Sequence, residues 1–126
     1  MVGIVIVTHS PLLAKGVVDE TKIMADGCPI VAAGGAEDGG YGTSYEKIKA
    51  AIESVHGTDG VIVLTDMGSA VMTAEMVLEE LAYPDVLLVD CPLVEGAIVA
   101  SLASVCGDDL ETVRQQALDA ERDTKR

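Results

Sequence analysis

Two stretches of the chain, VGIVIV at residues 2–7 and GVIVL at 60–64, contain no polar side chain. A strand with one face in water alternates apolar and polar residues. These two runs therefore read as strands covered on both faces. Strands of that kind belong to parallel sheets, whose neighbours are joined by long crossovers, usually helical. The chain is thus constrained to layers of helix, sheet and helix before any other residue is considered.

The intervening segments supply the helices. His9, Ser10 and Pro11 follow the first run. Proline is tolerated in a first helical turn, and Ser10 can cap it. The spacing predicts a helix over 11–25 with Leu13, Val17, Thr21 and Met24 on its inner face, stopped by Gly27. Residues 28–33 read as a second short strand and 34–42 as a flexible surface loop rich in glycine and acid. The sequence TSYE at 43–46 fits a capping box, so a helix is expected there, with Tyr45, Ile48, Ile52 and Val55 inward and Gly57 at its end. A third strand over 60–65 leads through a turn at 66–69 into a helix over 70–81, with Glu75, Glu79 and Glu80 on its wet side. Residues 86–89 make a fourth strand. Helices follow over 93–105 and 108–121, the last with Asp108 and Asp109 at its positive end and Val113, Ala117 and Leu118 inward. The charged tail over 122–126 is expected to fray. The series predicts one α/β domain over 1–126: an open, mostly parallel sheet with helices on both faces and a flavodoxin-like strand order 2-1-3-4.

Composition narrows the partners. The formal charge is −13, which repels nucleic-acid phosphates and anionic lipid and favours a partner with a basic docking face. The three cysteines, Cys28, Cys91 and Cys106, are odd in number and form no C-x-x-C pair. They read as buried free thiols of a reducing compartment, neither a disulfide framework nor a metal site. The N-terminus carries no basic, cleavable leader pattern, and the apolar stretch at 93–105 is short for a membrane span. A cytoplasmic protein without membrane insertion is expected. The 34–42 loop lacks a P-loop lysine and a G-x-G-x-x-G, so no nucleotide or other cofactor is expected there.

In an open α/β sheet, sites form beyond the carboxyl ends of the strands where the winding reverses. For the order 2-1-3-4 that point lies between strands one and three, and the residues leaving them are Thr8, His9 and Ser10, and Thr65 through Ser69. The fold thus brings His9 and Asp66 together. A carboxylate on one ring nitrogen fixes the tautomer and leaves the other nitrogen nucleophilic. Each residue precedes a helix, whose N-terminus offers N–H groups and a positive dipole end. His9 and Asp66 are therefore the candidate catalytic pair, and Thr8, Ser10, Met67, Gly68 and Ser69 the candidate phosphate-binding residues. His56, between a helix end and Gly57, reads as an exposed residue favourable to the helix dipole. Glu95 opens a small-residue helix as either a cap or an interface group.

Three blocks, VGIVIVTHS at 2–10, LTDMGSA at 64–70 and PLVEG at 92–96, resemble in this order and spacing the DhaM subunits of dihydroxyacetone kinase. That family is similar to the IIA domains of the mannose-type sugar phosphotransferase system. The resemblance implies a homodimer whose histidine, here His9, is phosphorylated by HPr, with Asp66 as its partner. It implies transfer of the phosphoryl group to ADP held in DhaL, which acts with DhaK on dihydroxyacetone. Because the matched region ends with the IIA-like part, separate HPr and Enzyme I would supply the phosphoryl group.

Three alternatives stay open. The same chemistry could serve sugar transport by passing phosphate to a IIB protein. The histidine could be phosphorylated only as a signal in a non-catalytic binding module. A metal chelatase would need a second histidine in another strand-end loop, and His56 is badly placed for that.

Overall fold

The structure, a computed structural model, describes residues 1–122. Strand β1 (Gly3–Thr8) is buried along its whole length. Helix α1 (Pro11–Met24) follows, capped by Ser10, whose Oγ accepts the Leu13 N–H at 3.2 Å, with proline in the first turn. Its buried residues are Ala14, Val17, Val18 and Thr21. This corrects the expected face: Leu13 and Met24 are 41% and 55% exposed. The stripe is displaced because α1 lies hard against the end of the second strand, where Ala14 is the small side chain that fits. Gly27, at φ +90°, turns the chain out of the helix.

Strand β2 (Ile30–Gly34) starts later than the reading of 28–33, since Pro29 has no N–H for the ladder. Helix α2 (Tyr45–Val55) is capped by Ser44, not Thr43; Ser44 Oγ accepts the Lys47 N–H at 3.1 Å. Its inner residues are Ile48, Ala51 and Ile52, with Tyr45 and Val55 packed at the margin. Strand β3 (Val61–Thr65) leads into α3 (Gly68–Leu81), which begins two residues earlier than the expected 70. Strand β4 (Val86–Val89) and helix α4 (Leu93–Val105) fall where the pattern puts them. Helix α5 (Leu110–Asp119) is shorter than 108–121: Asp109 caps it by accepting the Thr112 N–H, and it ends in a 3₁₀ turn, Ala120–Arg122. Of the tail expected to fray, 123–126 lie outside the described residues.

All four strands are parallel, in the order β2-β1-β3-β4. The unbroken apolar runs are explained by the pleat. Ile4, Ile6, Ile62 and Leu64 join one core cluster with α1, α4 and α5. Val5, Val7, Val61 and Val63 join the other, with α2 and α3. Both faces of the central strands are therefore core, and burying each such side chain contributes about 1.5–3 kcal/mol. The cysteines divide differently from the expected buried set: Cys28 is buried, Cys91 half-buried and Cys106 exposed. No helix among the described residues is long and apolar enough to cross a membrane.

Candidate active site

Val7 of β1 pairs with Thr65 of β3, so the chains leaving these strands emerge side by side. The Asp66 N–H bonds the Val7 carbonyl at 3.1 Å, continuing the ladder one step past the strand. This places the Asp66 carboxylate against His9. Asp66 Oδ1 and Oδ2 lie 3.0 and 3.2 Å from His9 Nδ1, and Oδ2 also accepts the His9 backbone N–H at 3.1 Å. Oδ1 accepts the Met67 N–H at 2.8 Å. A carboxylate so engaged accepts from Nδ1–H, and the second ring nitrogen, Nε2, then carries the lone pair. Nε2 faces the hydroxyl of Ser69 in hydrogen-bonding contact. Both side chains of the pair are 15% exposed: shielded, yet open to a partner.

The other candidates divide into two groups. Gly68 and Ser69 are exposed in the first turn of α3, where N–H groups have no helical acceptor. Met67 precedes them as the N-cap, 61% exposed, its N–H already given to Asp66. Ser10 stands on the α1 side, with Oγ accepting from Leu13. Pro11 has no N–H, so α1 offers fewer free donors than α3. Thr8 is fully buried and its hydroxyl donates to the Ser10 carbonyl at 2.5 Å, holding the turn beneath His9. Neither α1 nor α3 has an acidic residue in its first turn, so these turns add no repulsion to that of the Asp66 carboxylate.

Residues not singled out from the sequence also bear on the site. The 34–42 loop is tied down where a loosely held segment was expected. The Gly42 N–H bonds the His9 carbonyl at 3.0 Å, and Lys47 Nζ bonds the Ala36 carbonyl at 2.7 Å. Ser44 Oγ donates to Glu37 at 2.6 Å. Thr43, read as a cap, instead meets Thr73 of α3. Nothing in a capping-box pattern signals that second use.

His56 corrects its sequence reading. It is half-buried at the amino ends of β3 and β4, with Nε2 2.8 Å from Asp85 and its ring stacked on Tyr83 at 4.2 Å. That is the opposite end of the sheet from His9, so the two histidines do not share a site. Among the described residues no group of three or more His, Cys, Asp or Glu is placed to hold a metal.

Residues 3–114 match the family described as PTS system fructose IIA component, the mannose-type IIA family. The chain belongs to that family. It is 41% identical over 133 residues to the PEP-dependent dihydroxyacetone kinase phosphoryl donor subunit DhaM of Escherichia coli (strain K12), covering 98% of this chain and 28% of that one. It is 35% identical over 114 residues to the PTS-dependent dihydroxyacetone kinase phosphotransferase subunit DhaM of Lactococcus lactis, covering 90% and 91% of the two chains. The DhaM resemblance read from the sequence is thereby established. This chain spans little more than a quarter of the length of the E. coli relative. Among solved structures, the mannose/sorbose-specific IIA subunit of the Enterococcus faecalis phosphotransferase system superposes with a TM-score of 0.65 at 20% identity, covering 99% and 94% of the chains. That likeness shows the shared fold.

Proposed function

We propose that the chain is a phosphohistidine relay, in which His9 Nε2 accepts a phosphoryl group from the phosphohistidine of HPr and passes it to ADP held in DhaL. DhaL, with DhaK, then phosphorylates dihydroxyacetone. The observation that carries the reading is a histidine whose Nδ1 is held by Asp66 and whose Nε2 looks into the first turn of α3. The identity to DhaM subunits supports the acceptor.

In the first step the Nε2 lone pair attacks phosphorus in line as the P–N bond of the donor breaks, and the electron pair returns to the donor imidazole. His9 gains positive charge, which the Asp66 carboxylate offsets. The equatorial phosphoryl oxygens meet the Gly68 and Ser69 N–H groups, the Ser69 hydroxyl and the Ser10 hydroxyl. Positioning and electrostatics do the catalysis, with no covalent chemistry beyond the exchange itself. In the second step an oxygen of the ADP β-phosphate attacks, the Nε2–P bond breaks, ATP forms and His9 returns neutral. Donor and product of the first step are both phosphoramidates, so that step is reversible.

A protein donor needs a surface. Leu12 is 81%, Tyr41 84%, Met67 61% and Met72 66% exposed, an apolar set on the elements next to His9. The proposal includes a cytoplasmic homodimer. Ile98 and Val99 are half-buried on α4, whose only charged residue is Glu95, and they stand outside both core clusters. Light scattering should give twice 13.0 kDa, and a monomer mass rejects the dimer.

The test of the relay is labelling from phosphoenolpyruvate with Enzyme I and HPr. The native chain should label and His9→Ala should not; full labelling of the variant removes His9 from the role. Labelled chain is then offered DhaL–ADP or a mannose-type IIB protein. Label leaving as ATP supports the kinase reading, and label moving to the IIB protein replaces it with transport.

A further inference from the structure

Two consecutive residues of the β2–α2 loop grip the two halves of the site. The Gly42 N–H bonds the His9 carbonyl at 3.0 Å. The Thr43 Oγ1 lies 2.9 Å from Thr73 Oγ1, and Thr73 Oγ1 lies 3.0 Å from the carbonyl oxygen of Ser69. The direction of this chain of bonds is forced. A hydroxyl has one proton, and a backbone carbonyl can only accept. Thr73 must give its proton to Ser69, so Thr43 must give its own to Thr73. The bond from Thr73 to the carbonyl four residues back is local to α3 and needs no loop. The bond from Thr43 crosses 30 residues of sequence and serves no cap, because Ser44 caps α2.

We infer that Thr43 and Thr73 are positioning residues, a hydroxyl clasp that fixes the first turn of α3 relative to His9. The clasp sets the distance between His9 Nε2 and the Ser69 hydroxyl. It thereby fixes where the N–H groups of that turn stand relative to the histidine that would carry the phosphoryl group. Gly42 anchors the histidine side and Thr43 the α3 side, so two consecutive residues tie the two halves together. Loosening the clasp leaves both core clusters untouched, since neither threonine belongs to them. This inference rests on the relay reading for its consequence in phosphoryl transfer, and on geometry alone for its effect on His9.

The experiment compares Thr43→Val, Thr73→Val and Thr43→Ser in the full chain. Valine keeps the shape and removes the hydroxyl; serine restores it. Two readouts are taken. The first is the imidazole ¹⁵N spectrum of His9, which reports the Nδ1–H tautomer and contact at Nε2 without any donor protein. The second is the rate of labelling from phospho-HPr. Each valine variant should shift the His9 Nε2 resonance and slow labelling about tenfold at saturating donor, with KM unchanged. Thr43→Ser should return both to native values, and all variants should melt within a few degrees of the native chain. Native His9 spectra in both valine variants overturn the clasp, whatever the labelling shows. If the native chain takes no label from phospho-HPr while the valine spectra shift and serine restores them, the relay reading fails and the clasp stands.

Discussion

Asp66 makes four close contacts through both carboxylate oxygens, all from nitrogen, three of them to His9 and one to the Met67 N–H. An amide in its place must turn its NH₂ toward at least one of those donors. If His9 moves its proton to Nε2, Nδ1 accepts from that NH₂ and the proposed nucleophile is lost. Asp66→Asn should therefore fold normally and lose transfer on the order of 10⁴-fold, as expected when a tautomer-fixing carboxylate becomes an amide. Labelling kinetics within threefold of native would remove Asp66 from the mechanism. The cysteines give a separate check on burial. Cys91 is pushed up to about 11, by burial first and the Asp90 charge second, so about a thousandth of it is thiolate at pH 8. Thiol titration of the native chain at pH 8 should find Cys106 reacting first, with Cys28 and Cys91 following only on unfolding. Fast reaction of three thiols in the native chain would contradict the packing. His9 and Asp66 were legible from the sequence because strand ends and a switch point locate them without side-chain detail. Thr43 and Thr73 were not, because a hydroxyl's partner 30 residues away leaves no periodic trace.

The elements followed the sequence where one signal acted alone and departed where two competed. Leu93–Val105 was readable to the residue because Pro92 and the glycine after Cys106 punctuate it. The inner face of α1 was misplaced because leucine and methionine carry more hydrophobic weight than alanine, yet close approach selects by size. A Cβ on Gly34 would sit 2.8 Å from Ala14 Cβ and 2.9 Å from the Ser10 carbonyl oxygen. Gly34→Ala should therefore push the start of α1 away, costing about 1–3 kcal/mol in denaturant unfolding and slowing labelling through His9. An unchanged unfolding midpoint would show that this approach has slack. At α5 the Asp109 carboxyl is held below its ordinary 3.8 by the Thr112 side chain, then by the Thr112 backbone. A depressed carboxyl stabilises the fold fully above its unfolded value and ceases to do so as pH falls through the folded one. Below pH 3.8 the native chain should thus lose stability more steeply than Asp109→Asn, which caps without titrating. Parallel acid-unfolding curves would refute that role.

At the scale of the molecule, a strongly acidic chain keeps exposed apolar side chains on the elements next to His9. The chain carries −13, yet the first turns of α1 and α3 hold no acid, and Leu12, Tyr41, Met67 and Met72 are exposed on those elements and the β2–α2 loop. Met72→Glu should raise KM for a phosphorylated donor protein and leave kcat within about twofold, since Met72 is not among the groups proposed to touch the phosphoryl group. An unchanged KM would place the docking surface elsewhere. The sheet itself has a final consequence. His9 and Asp66 stand 57 residues apart and meet only because β1 and β3 lie in register, with β2 and α2 crossing over between them. Non-local pairing of this kind is slow to form. Under the relay proposed above, a molecule in which that pairing is incomplete has no imidazole poised to take a phosphoryl group. Incorporation of label from phosphoenolpyruvate, through Enzyme I and HPr, during refolding would then report the native fraction, a clock for the central strand pairing that needs no fluorophore in a chain without tryptophan.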